Sequence, residues 1–428
     1  MEKTVSYNHY YMPKLSAYRV YLIIRFIQAM LFTCIGAYTA LYRINIVHLN
    51  PIQLVLVGTV LEITTFLFEV PTGVVADVYS RKMSTIIGII LVGLGFVFEA
   101  LFPVFITVLV AQIIWGIGFT FISGAREAWI AGEVGETKAH EVYFKGARLV
   151  QIGSFLGIIL SMILAQYGVR TPIFIGGLLH ALFGISLFLF MPEKNFISAK
   201  PKDRGNWHHL IVTFKSGITV VKNSRFLFII ILASGMIGAF SEGFDRLWTM
   251  HIIKNFTFPK IINLSETNWF GLIFLVTLVM CYIGVWLVGK LVKENNKDSL
   301  LYGFIAIYTI MFAAALIFSS TSRFGIAIIS TWIIFMLREA TGPLYNSAVL
   351  KGSKEDTRAT VFSISSQANA LGQIIGGPIL GLIATILSIR QGMVWMAIAL
   401  LPVIALFIIS ILKSSKPAVF KASHPEGD

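Results

Sequence analysis

Ionisable side chains recur in this 428-residue sequence inside stretches that are otherwise apolar. Glu62 stands in VLEITTF, Arg338 and Glu339 are adjacent in FMLREATG, and EGFDRLW places Glu242 three positions before Asp245 and four before Arg246. Arg25, Glu69, Arg126, Glu127 and Arg148 form another such set. The string EVPTGVVADVYSRK (69–82) packs Glu69, Asp77, Arg81 and Lys82 into one short stretch. In hydrocarbon each such group costs at least about 2.5 to 3.5 kcal/mol, so it is kept only when paired or when it acts. Carboxylates there carry protons, and arginines pair with them or hold anionic groups. Uncharged polar residues extend the set: Gln28, Gln151, Gln367, Asn369 and Gln373, of which Gln28 and Asn369 are expected to line a cavity.

The elements that position these groups follow from composition. The chain is 56% hydrophobic and 13% charged, against roughly 25% charged for a soluble protein. Runs such as IIGIILVGLGFVF (86–98) and GLIFLVTLVMCYIGVWLVG (271–289) suit spans of about 20 residues across a bilayer, and dyad alternation of a β-barrel is absent. The sequence predicts an all-α integral membrane protein with twelve helices, near 18–44, 51–76, 83–102, 104–131, 142–167, 171–191, 226–251, 267–290, 299–319, 323–349, 357–387 and 390–413. The net charge of +13 resides in short loops between apolar runs, which reads as topology rather than nucleic-acid binding. It predicts both termini on the cytoplasmic side of a cell membrane, with a retained first span. Residues 192–225, including His208 and His209, form a basic linker between an N-terminal bundle (1–191) and a C-terminal bundle (226–413), followed by a tail (414–428). Cys34 and Cys281 fall in apolar runs, which excludes a disulfide framework or a cysteine zinc site.

Counting about 1.5 Å per residue from the cytoplasmic helix ends sorts the charges into layers. Arg25, Glu69, Arg126, Glu127 and Arg148 form an inner layer, read either as a salt-bridged brace or as a gate or anion site. Glu62, Arg338 and Glu339 fall at the midplane, where repeat transporters bind substrate and coupling ions. Neighbouring Arg338 and Glu339 point about 100° apart, so at least one needs another partner. Glu62 has no basic neighbour on its own helix and is a candidate proton carrier. Glu242, Asp245 and Arg246 form an outer layer, read as an interfacial pair anchored by Trp248 or as an outer gate. Glu99 reads as interfacial.

The two halves align at a nearly constant offset. Gly73, Asp77 and Arg81 fall on Gly289, Lys293 and Lys297, Ser123-Gly124-Ala125 on Thr341-Gly342-Pro343, and Gly153 and Gly157 on Gly372 and Gly376. GVVADVYSRK resembles the G-x-L-A-D-R-x-G-R-K loop of the major facilitator superfamily. FEVPTGVVADVYSRK with SGAREAW resembles its bacterial branch of drug and metabolite exporters. The resemblance implies two pseudo-symmetric six-helix bundles working by alternating access. An acid is disfavoured at a helix C-terminus, so Asp77 needs a partner, either Arg81 across the turn or the N-terminus of the eleventh span near Thr357, which the resemblance also implies; Asp77 is read as a switch, with Gly73 allowing close packing. The chain departs from the pattern at Val78 for Arg, Ser80 for Gly, Gln112 for the arginine of the fourth-span antiporter motif, and GSFLG for the fifth-span motif, whose nearest match is GQIIGGPILG (372–381). These differences bear on proton-coupled antiport and leave the implied fold unchanged.

No HExxH, nucleophile elbow or metal-spaced histidine cluster occurs, and GVWLVGKL (284–291) lacks the terminal Ser or Thr of a P-loop. The reading is therefore not an enzyme and involves no cofactor or metal. The leading expectation is a monomeric, proton-coupled exporter of an amphipathic drug or metabolite. The alternatives are an importer or exchanger of an anionic metabolite, and then a receptor or scaffold on a transporter fold.

Overall fold

The computed structural model describes residues 16–198, 218, 219, 221, 222, 224–260, 264–292, 297–353 and 358–414. The core of the basic linker with His208 and His209, Lys293, Thr357 and the tail after 414 lie outside the described residues. Fourteen helices and no strand occur among the described residues. In the first half they are α1 (Ala17–Asn45), α2 (Pro51–Val78), α3 (Arg81–Leu101), α4 (Phe105–Ile122), α5 (Ala125–Val134), α6 (Glu136–Ala165) and α7 (Thr171–Phe190). In the second they are α8 (Arg225–Asn255), α9 (Glu266–Leu291), α10 (Lys297–Ser320), α11 (Phe324–Gly352), α12 (Arg358–Ile386), α13 (Ile389–Ile398) and α14 (Leu401–Ser414). They make twelve segments long and apolar enough to cross a bilayer.

Two expected spans are broken. The fourth is interrupted between α4 and α5, where Gly124 takes φ 73°, a left-handed conformation that favours glycine. The twelfth is interrupted before Pro402, which has no N–H to offer Ile398 and so leaves a gap in the hydrogen-bond ladder. The fifth span starts at Glu136 rather than at 142, because Gly135 at φ 83° turns the chain directly into it.

Helices approach each other where glycine removes the side chain, the usual solution when lipid gives no hydrophobic drive between helices. On α6, a Cβ at Gly153 or Gly157 would overlap the carbonyls of Phe26 and Met30 on α1. On α12, a Cβ at Gly372 or Gly376 would overlap Gly235 and Ala239 on α8. These four glycines are the ones the internal alignment matched, and in both halves they seat the same pair of helices, the fifth of the half on the first.

The contacts divide the chain into two compact units that cut across helices. One comprises Met1–Gly36, Leu67–Phe102 and Ile113–Gly205; the other comprises Ala37–Phe66, Pro103–Gln112 and Asn206–Asp428. The second unit thus takes in the ends of α1 and α2 that meet at residues 46–50. There Ile52 N donates to Thr385 Oγ1 at 3.0 Å, Val55 packs at Gly377 and Gly381, and Tyr38 Oη donates to the Thr267 carbonyl at 2.9 Å.

Candidate functional site

In the first unit the break at Gly124 sets the geometry. It restarts the fourth span as α5, whose first turn carries Arg126 and Glu127. Arg126 donates to Gln28 Oε1 on α1 at 2.8 Å and, through Nε and one terminal nitrogen, to Glu127 Oε1 at 3.0 and 2.7 Å. Arg25, one turn before Gln28, lies 3.7 Å from the same carboxylate oxygen. Three of the five expected inner-layer charges are therefore brought together with Gln28, beside a cavity of about 340 Å³.

The other two are not. Glu69 lies in a stretch, 66–71, that is exposed throughout, and Arg148 is exposed on α6. The packed face of α6 runs through Val142, Gly146 and Gly153. Arg148, two positions after Gly146, points roughly 200° away from it. Gly73 serves no close packing here, since a Cβ on it would meet nothing within 4 Å. Glu99, expected at the interface, is fully buried on the packed face of α3 beside Phe96 and Ala100.

In the second unit the expected middle and outer layers collapse into one. Glu242 pairs with Arg246 at 2.9 Å one turn along α8. Asp245 takes Arg338 of α11 in a bidentate pair at 2.5 and 2.8 Å. Arg338 thus finds its partner on another helix, as the angle to Glu339 required, and Glu339 is left exposed. Residue counting misplaced these groups because it assumed that all helices begin at one depth. The Asp245–Arg338 bond lies about 30 Å along α8 from its start but only about 21 Å along α11 from its end, so α8 reaches about 9 Å further beyond the pair on the side from which residues were counted. Glu62 of α2 lies within electrostatic reach of Glu242 and Arg246 and makes no ion pair among the described residues. One turn earlier, Gly58 gives the pair its room, because a Cβ there would overlap Glu242 Oε1 and Arg246 Nε. Gly58→Ala is therefore expected to displace the pair and lower thermal stability by an amount comparable to overpacking a core, about 1 to 3 kcal/mol. A melting curve of the purified variant checks this.

Asn369 lies on a second-unit cavity of about 320 Å³ with Ser234, Tyr308, Tyr345 and Ser365. It donates to the Ser234 carbonyl at 3.0 Å and accepts from Gln373 at 2.8 Å, while Tyr345 Oη bonds Ser365 Oγ. Tyr345 and Ser365 escaped the sequence reading because hydroxyls are common in membrane helices; the only local signal was the matched Thr341-Gly342-Pro343.

The charged loop is held from its own side. Asp77 meets Arg81 at 3.3 Å, as expected, and Arg81 also donates to the Ala128 carbonyl at 3.1 Å; the alternative partner near Thr357 lies outside the described residues. Ser80 caps α3 by accepting from Met83 N at 2.9 Å and donates to Glu193 Oε2 at 2.5 Å. Glu193 Oε1 accepts from Lys82 N at 2.9 Å. A helix N-terminus carrying Arg81 and Lys82 is electrostatically disfavoured, and the Glu193 carboxylate adds a second negative charge there beside that of Asp77. The chain after α7 then runs on as a strap. Trp129 Nε1 donates to the Pro192 carbonyl at 2.7 Å, Glu133 accepts from Lys194 N and Asn195 N at 2.6 and 2.8 Å, and Ser198 Oγ donates to the Val78 carbonyl at 2.7 Å. Glu193→Ala is expected to speed amide exchange at Lys82 and Met83 about tenfold, the effect of losing a cap worth about 1 to 2 kcal/mol. Hydrogen-exchange mass spectrometry reads it directly.

The comparisons with known proteins agree with this architecture. The model of the Major Facilitator Superfamily matches residues 21–377. The uncharacterised MFS-type transporter YxaM of Bacillus subtilis is 24% identical over 365 residues, covering 85% of this chain and 89% of its own. An uncharacterised MFS-type transporter of Methanocaldococcus jannaschii is 22% identical over 324 residues, 76% of this chain and 80% of its own. Among solved structures, the nucleoside transporter NupG superposes with a TM-score of 0.73 at 14% identity, covering 93% of this chain and 99% of its own. A POT family transporter in complex with a thioalcohol-conjugated peptide gives 0.71 at 12%, covering 93% and 96%. At such identities the structures establish the fold alone. The chain belongs to the major facilitator superfamily and is a multi-pass membrane transporter, not an enzyme.

Proposed function

We propose that the chain exports an amphipathic small molecule, a drug or metabolite, by alternating access coupled to inward proton flow. One observation carries the coupling. The second unit gathers three carboxylates, Glu62, Glu242 and Asp245, around two guanidiniums, Arg246 and Arg338. The two arginines are taken by Glu242 and Asp245, which leaves Glu62 as the acid without a cation of its own. A carboxylate in that position is stabilised by taking a proton and released from that need when a cation or water approaches. Export is supported by the resemblance of the FEVPTGVVADVYSRK loop to the exporter branch. The charge asymmetry of the loops supports placing both termini on the cytoplasmic side of the cell membrane. We take the monomer as the working unit.

A second reading, import or exchange of an anionic metabolite, is favoured by Arg25 and Arg126 sharing the single carboxylate of Glu127. Purified protein in liposomes tests the coupling. With amphipathic compounds screened with and without an imposed pH gradient, flux is expected to follow the gradient and to move protons seen by a trapped pH dye. Flux that is equal with and without the gradient would refute the coupling.

A further inference from the structure

The first-unit cavity of about 340 Å³ is of a size that holds a small organic molecule. Its lining is divided by chemistry. One wall is aromatic, with Phe32, Trp115 and Phe119; Phe32 and Trp115 lie 5.7 Å apart between ring centroids, and Phe96 stands 5.3 Å behind Trp115. The other wall holds Arg25, Gln28, Arg126 and Glu127, two positive charges against one negative.

The donors of that polar wall are unequally used. Arg126 engages three of its five N–H groups with Gln28 and Glu127. Arg25 reaches Glu127 only at 3.7 Å, and its Nε is buried without a hydrogen-bond partner. On the aromatic wall the indole Nε1 of Trp115 is likewise buried without one. Both nitrogens are shut inside the walls, whereas the Arg25 side chain as a whole is 24% exposed and lines the cavity, so a ligand meets its charge rather than its Nε. Ser123 and Gly124, which precede α5, line the same cavity, and α5 starts with no side-chain cap, so its first amide groups add positive potential on that side. His180 closes the cavity. Its Nδ1 is 2.9 Å from the Ile89 carbonyl, which can only accept, so that nitrogen carries the proton. The net positive charge and the ring wall call for the same ligand: an anion with a flat apolar body.

We infer that this cavity binds an aromatic organic anion, its carboxylate on the Arg25 side and its ring against Phe32 and Trp115. The inference rests on the transport reading above and names the substrate class for it. A flat monocarboxylate gains a charge-assisted bond from Arg25 and an aromatic contact, whereas an amine of the same shape meets a net positive wall.

Equilibrium binding tests it without any gradient. Tritiated 2-naphthoate is bound to the purified full-length protein by scintillation proximity, with 2-naphthalenemethanol and 2-naphthylmethylamine as competitors of equal shape. Saturable binding is expected, with both competitors at least tenfold weaker than unlabelled 2-naphthoate. Arg25→Gln should weaken binding at least tenfold, the range for losing one charge-assisted hydrogen bond, and Trp115→Ala about threefold to tenfold, the range for losing an aromatic contact. No saturable binding, equal competition by the amine, or an unchanged Kd in Arg25→Gln would each overturn the inference. The competitor series on the unmodified protein decides the matter even if a variant fails to fold. Binding of naphthoate without gradient-dependent flux would sink the coupling and leave this site standing; gradient-dependent flux without naphthoate binding would do the reverse.

Discussion

Arg246→Met is expected to be among the most damaging single substitutions in the second unit, lowering the melting temperature of the purified protein by roughly 3 to 6 °C. Glu242 is 2% exposed and its nearest cation is the Arg246 guanidinium at 2.9 Å. Methionine keeps most of the side-chain volume and removes the charge, so the loss reads the ion pair rather than a cavity. Breaking a buried pair from one side costs about 3 to 5 kcal/mol because the remaining charge is left in a medium that cannot solvate it. Here the remaining charge is Glu242, with Glu62 close by, so the vacancy exposes two acids to each other. The conversion to temperature follows from the unfolding entropy of a chain of this size. The double variant Glu242→Gln with Arg246→Met should recover most of the loss, since it removes the stranded charge as well. If the double variant is no more stable than Arg246→Met, the pair is not what holds this part of the unit together.

Glu62→Gln is expected to reduce gradient-driven flux in liposomes at least tenfold, to the level seen without a gradient, while the protein stays folded. Glutamine matches glutamate in shape and cannot take up or release a proton. The stability cost is small, within about 1 kcal/mol, because Glu62 makes no ion pair among the described residues and its nearest acid, Glu242, loses a like-charged neighbour. The contrast with Arg246→Met is the useful part. One substitution acts on a pair that stabilises the unit; the other acts on the carboxylate that the pair leaves over. Gradient-dependent flux that persists in Glu62→Gln at the level of the unmodified protein would remove Glu62 from the coupling, and with it the charge count that supports the proposal.

The fold was legible because hydrocarbon imposes a simple rule, that every span must be apolar for about 20 residues. Runs such as 271–289 obey it without help from distant parts of the chain. The pairing of Arg338 away from Glu339 was legible for a local reason too, the 100° step of the helix. Lateral position, in contrast, depends on which face of a helix is covered. Arg148 was placed in a cluster by its depth and turned out to lie on the far side of α6 from Gly146. Depth itself failed where helices differ in how far they extend, as α8 does. The break at Gly124 was visible only as a matched small residue, because one glycine inside an apolar run does not by itself announce a positive φ. The role of Ser80 was hidden for another reason: its partner, Glu193, is 113 positions away, and a single glutamate at the start of a basic linker gives no hint that it caps a helix.

That last contact decides where the first half of the chain ends. Hydropathy draws the line at Met191, where the sixth span stops. The atoms draw it later. A fragment ended at 191 would strand the indole of Trp129, take the Glu193 carboxylate away from Ser80 and the Lys82 amide at the start of α3, and take away the backbone amides that Glu133 holds. A fragment ended after Ser198 keeps every one of these bonds. Any attempt to express the two halves as separate, reassembling chains is therefore best cut beyond Ser198, and a shorter first piece carries a defect that has nothing to do with transport.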